Sequence, residues 1–131
     1  MNVQAQDDES LLVQAAKFIQ NTACFKEKTI MVHSLAARLG IPAYKLSLAL
    51  NTIAKTSFND FINQYRIAYL KTQLEKEEFL QSYTMEALAL QASFASRSGF
   101  YKAFKKWRAS APKSTLLLQK LYFKYIIWYL D

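Results

Sequence analysis

Apolar residues recur along this chain at intervals of three and four, and strict alternation is scarce, so the pattern predicts helices with short connections. Leu11, Leu12, Ala15, Phe18 and Ile19 give a first helix over roughly Glu9 to Asn21, behind a flexible lead-in over residues 1–8. Val32, Leu35, Ala36 and Leu39 form the next stripe. Gly40 follows where a left-handed C-cap falls, and Pro42 opens a further helix with the stripe Leu46, Ala49, Leu50 and Ile53. Two short helices around a tight glycine turn make a helix-turn-helix, whose second helix suits a DNA major groove.

A longer helix starts at Ser57, where Ser57 and Asp60 have capping-box spacing and Phe58, Phe61, Ile62 and Tyr65 supply an apolar face. It is expected to end near Glu77, with Glu75, Glu77 and Glu78 facing water. Then the earlier pattern returns. Thr84 is placed to cap a helix whose stripe is Met85, Leu88, Ala89 and Ala92. Leu35-Ala36 corresponds to Leu88-Ala89, Gly40 to Ser93, and the anchors Leu46 and Leu50 to Phe100 and Phe104, with one extra residue in the second turn. In the last helix Phe100, Ala103, Phe104 and Trp107 line one side, and Ser98, Lys102 and Lys105 project from the other.

The expected fold is therefore all-α: two helix-turn-helix subdomains joined by a long linker helix, plus an apolar C-terminal helix. The division runs 9–56 for the first subdomain, 57–77 for the linker, 78–112 for the second subdomain and 113–131 for the tail. A chain of 131 residues with 52% hydrophobic content fills a modest core.

Charge sharpens the picture. The net charge is +7, and between Glu86 and Asp131 no acidic residue offsets Arg97, Lys102, Lys105, Lys106, Arg108, Lys113, Lys120 and Lys124. A field of this sign favours a polyanionic partner, nucleic acid above all. Taken alone, the basic face over residues 97–108 reads as a solvated amphipathic helix; the two helix-turn-helix frames around it turn the reading toward DNA contact.

Little in the chain supports catalysis. His33 is the single histidine and reads as a surface residue, so a nucleophile relay or histidine metal cluster has no second member. The single cysteine, Cys24, cannot form an internal disulfide and reads as a small buried apolar residue. Two scattered glycines make no phosphate-cradling loop. No enzyme, cofactor or metal is expected. The first ten residues lack a basic region followed by an apolar run, and the expected location is cytoplasmic.

The stretch from Thr29 to Lys113 resembles the DNA-binding domain of the AraC/XylS transcriptional regulators. LAARLGIPAYKLS, SFNDFINQYRIAYLKTQL with Arg66 and Leu74, ALALQASF, and SGFYKAFKKW followed by Pro112 carry the likeness. The resemblance implies two readers in successive major grooves. The first would present Tyr44, Lys45, Ser47 and Leu48, and the second Arg97, Ser98 and Lys102. Arg97 fits guanine O6 and N7, whereas Lys105, Lys106 and Arg108 fit phosphates, which position a protein without reading sequence. Arg66 is expected to serve structure through a hydrogen bond or ion pair.

The chain departs from the family pattern at Ser93 and Ala109, where glycine is usual, and at Gly99, where a larger side chain is common. In the family a sensing domain often precedes this module; here a short helix does, which fits a stand-alone regulator or a fragment of a larger one. RNA polymerase is an implied partner. The tail Leu116 to Leu130 is too short for a membrane span; it suits packing on the second subdomain, self-association or docking, or contact with a membrane interface. The expected function is a sequence-specific DNA-binding regulator of a non-palindromic site. The alternative is a helix-turn-helix scaffold that binds protein through its hydrophobic tail.

Overall fold

A computed structural model describes residues 3–76 and 84–110. The expected C-terminal helix over 113–131 lies outside the described residues, as do Glu77 and Glu78 and the side chains of Trp107 and Arg108. The described elements are all helical: α1 (Val3–Thr22), a 3-10 turn (Cys24–Lys26), α2 (Val32–Leu39), α3 (Ala43–Ala49), a π-type turn (Leu50–Ala54), α4 (Phe58–Lys76), α5 (Met85–Gln91) and α6 (Arg97–Ser110). The chain divides into two compact units between Ile62 and Asn63, so α4 begins in one and continues into the other.

In the first unit α1 packs against α3 and α2. Ala15 and Ile19 from α1 are fully buried, as are Leu35 of α2 and Leu46 and Ala49 of α3. Cys24 is buried as a free thiol beside the same turn that buries Phe25. His33 is exposed. α1 starts earlier than its apolar stripe predicts, and the residues from Val3 to Asp8 are helical where a flexible lead-in is expected. Gln4, Ala5 and Gln6 are sound helix formers, and the burial of Asp8 ties their turn to the protein.

One predicted core residue falls outside. Leu46, Ala49 and Leu50 are buried, whereas Ile53 is 38% exposed. The helix widens into the π-type turn at Leu50, which shifts the register of every residue after it and carries Ile53 off the stripe. Lys55 ends that turn at φ 55°, in the left-handed region.

In the second unit Ile67 and Leu70 of α4 join Leu88, Ala89 and Ala92 of α5 and Phe94, Phe100, Ala103 and Phe104 in one core. Phe94 meets Phe100 edge to face with ring centroids 5.1 Å apart, and Phe100 stacks on Phe104 at 5.9 Å. Arg66 is buried in this unit. Two caps set the helix starts: the Ser57 hydroxyl accepts from the Asp60 amide at 3.1 Å, and the Thr84 hydroxyl accepts from the Ala87 amide at 3.2 Å.

Candidate nucleic-acid interface

The two turns that aim α3 and α6 are built alike. In the first, the Gly40 amide donates to Ala37 O at 3.1 Å and the Ile41 amide to Ala36 O at 3.0 Å. The second repeats this, with Ser93 donating to Leu90 O at 3.0 Å and Phe94 to Ala89 O at 3.0 Å. Both are Schellman closures, which require a left-handed residue at the pivot. Gly40 supplies it at φ 72° and Ser93 at φ 70°, as the correspondence between them predicts.

Beyond the turns, Pro42 and Ser96 open the two reader helices. Pro42 stands at φ −66° as the N-cap of α3, and its carbonyl accepts from the Lys45 amide at 3.1 Å. The Ser96 hydroxyl accepts from the Gly99 amide at 3.0 Å, closing the start of α6. A Cβ added at Gly99 would lie 3.2 Å from that hydroxyl, which gives a local reason for the glycine.

Burial of one face of each helix leaves the opposite face outward. On α3, Tyr44 is 68% exposed and Leu48 47%, Lys45 is exposed, and Ser47 is half-buried. On α6, Arg97, Ser98, Lys102, Lys105 and Lys106 are all exposed, while Phe100 and Phe104 are fully buried. The second reader is thus a cationic ridge on an aromatic base, and the first sets the exposed side chains of Tyr44 and Leu48 beside a single lysine. The Arg108 side chain lies outside the described residues.

The model for the family described as "Helix-turn-helix domain" matches residues 35–117, more than half of the chain, and takes in both turns and both reader helices. The chain belongs to the AraC-type helix-turn-helix family. It is a DNA-binding transcription regulator, in a family of regulatory DNA-binding domains and not of enzymes. Comparison with curated proteins and with solved structures gave no match.

Each unit of this AraC-type protein carries its own predicted residues on one helix, exposed except for half-buried Ser47: Tyr44, Lys45, Ser47 and Leu48 on α3, and Arg97, Ser98, Lys102, Lys105 and Lys106 on α6. Counting from the buried anchors Leu46 and Phe100, Leu48 occupies the place of Lys102, whereas Asn51 follows Leu50, where the π-type turn shifts the register. Asn51 is exposed and was not among the residues that the sequence singled out. Its signal was available, since it follows Tyr44 by seven residues and Leu48 by three. Among the described residues no three of the His, Cys, Asp and Glu side chains gather as a metal site, and no helix is long and apolar enough to cross a membrane.

Proposed function

We propose that this regulator reads two successive major grooves of a non-palindromic duplex site, one through α3 and the other through α6. The observation that carries the reading is the pair of matched Schellman turns, each leading into a helix with an exposed outer face, but with unlike residues on the two faces. A homodimer presents two identical helices and so favours a palindrome; two unlike readers on one chain favour a directional site. Tyr44, Lys45, Ser47 and Leu48 take the first groove. In the second, Arg97 forks onto guanine, Ser98 donates or accepts, and Lys102 reaches guanine or phosphate. Lys105, Lys106 and Arg108 bind phosphates and fix the position of the protein. The resemblance to the family supports RNA polymerase as a further partner, engaged once the site is bound.

The test is selection from a random duplex library at about 150 mM salt, where non-specific binding is suppressed. The wild type should return a directional motif, and Arg97→Ala combined with Lys102→Ala should lose or relax its guanine-bearing half. A palindromic motif, or none from folded protein, would overturn the reading and favour a scaffold that binds protein through its tail.

A further inference from the structure

We propose that the first unit selects an A·T-rich half-site, with Leu48 and Tyr44 packing on thymine methyl groups and Asn51 pairing with adenine. This rests on the two-groove reading above and deepens it.

The outward face of α3 carries two large exposed side chains, Tyr44 and Leu48, beside Lys45, whose flexible ammonium takes a phosphate in this reading. Leu48 is 47% exposed although it is an aliphatic side chain on a solvent face, and Tyr44 one turn before it is 68% exposed. Ser47 is half-buried. The Thr52 hydroxyl already donates to Leu48 O at 2.8 Å, within its own helix. Asn51 is exposed in the turn that follows, three residues beyond Leu48.

Base-pair chemistry then narrows the partner. In the major groove the edges of guanine, cytosine and adenine present donors and acceptors, and only thymine adds an apolar group, its C5-methyl. Leucine pressed against a G·C edge strips water from O6, N7 and N4 without replacing those hydrogen bonds, which is unfavourable. Against a thymine methyl the same side chain buries apolar surface on both sides. An asparagine amide matches adenine N6 and N7 in a bidentate pair. All three residues therefore favour the same base pair.

The second reader has the opposite bias, with Lys102 where the first has Leu48, and Arg97 at its start. The composite site is accordingly bipartite, with an A·T half under α3 and a guanine-bearing half under α6.

The probe is the duplex that the library selection returns, resynthesised with deoxyuridine in place of thymidine at single positions, which removes the methyl group and leaves every hydrogen-bonding group in place. Wild-type affinity should fall about fourfold for each contacted methyl lost in the first half-site, the equivalent of one buried methyl group. Uracil in the second half-site should leave affinity unchanged. With Leu48→Ala, an exposed substitution outside the core, the penalty for uracil at the Leu48 position should vanish. Asn51→Ala should relax the preference for adenine at one position. A directional motif with G·C pairs under α3, or one that tolerates uracil throughout, would overturn this assignment while the two-groove reading stood. Selection that returns no motif would overturn the two-groove reading itself.

Discussion

The guanidinium of Arg66 stands 5.6 Å from the centroid of the Phe94 ring, and its Nη1 donates to Asn63 Oδ1 at 3.0 Å. Burial pushes Arg66 below the ordinary guanidinium range, yet an arginine stays charged inside a protein, so ring and amide must stabilise a cation. The expected structural role of Arg66 takes this form. Phe94 is the residue after the Ser93 pivot, so the contact holds the second turn against α4.

Arg66→Lys should therefore destabilise the protein by about 1–2 kcal/mol, because a compact ammonium is more strongly hydrated than a guanidinium and costs more to bury beside the ring. Chemical denaturation of the two proteins measures it. The salt dependence of DNA binding separates this role from a phosphate contact: its slope should stay unchanged in Arg66→Met, which removes the charge, and fall by about one unit in Lys105→Ala.

The pivots make a second, paired test. A Cβ added at Gly40 meets nothing within 4 Å, so Gly40→Ala should lose about 1 kcal/mol purely through its left-handed backbone. Ser93 already carries that strain at φ 70°. Ser93→Gly relieves it, less a part returned to a more flexible unfolded chain, for a gain of about 0.5 kcal/mol. Thermal unfolding should show a rise of about 2 °C. An unchanged or lower melting temperature would refute the strain at Ser93.

Glu27 and Arg38 form a two-pronged ion pair, with both nitrogen–oxygen distances at 2.6 Å, that ties the 3-10 turn to α2. The hydrogen bonds from Arg38 and its charge hold the Glu27 carboxyl below its ordinary value of 4.5. A carboxylate whose pKa is depressed by folding stabilises the folded state fully above the unfolded value, and the effect is lost as pH falls through the folded one. The melting temperature of wild type should therefore exceed that of Glu27→Gln at neutral pH, and the two should converge below pH 4.5. Both side chains are well exposed, so the gap should be modest and shrink with added salt.

Much of the fold was legible because its determinants are local. The stripes of α2, α5 and α6 fall at helical spacing, and Gly40 and Thr84 mark a helix end and a helix start within a few residues of each. What periodicity missed has a register or long-range cause. The π-type turn moves Ile53 outward through a one-residue change of register that no stripe announces. The start of α1 depends on the burial of Asp8 within the fold, and the partnership of Arg66 with Phe94 joins residues far apart in sequence. At the interface, exposure of Tyr44, Leu48 and Lys102 followed from their anchors. Asn51 was within reach of the spacing, three residues after Leu48, but it sits in the π-type turn, which no stripe announces.

The serine pivot also sets how the molecule breathes. A turn held in a strained conformation has less to lose by opening, so the amide of Phe94, closed onto Ala89 O, should trade its proton for deuterium sooner than the amide of Ile41, closed onto Ala36 O by a glycine. Two turns with the same hydrogen bonds would then keep different clocks. The helix that carries the charge would be released and re-seated more often than the one that carries the leucine.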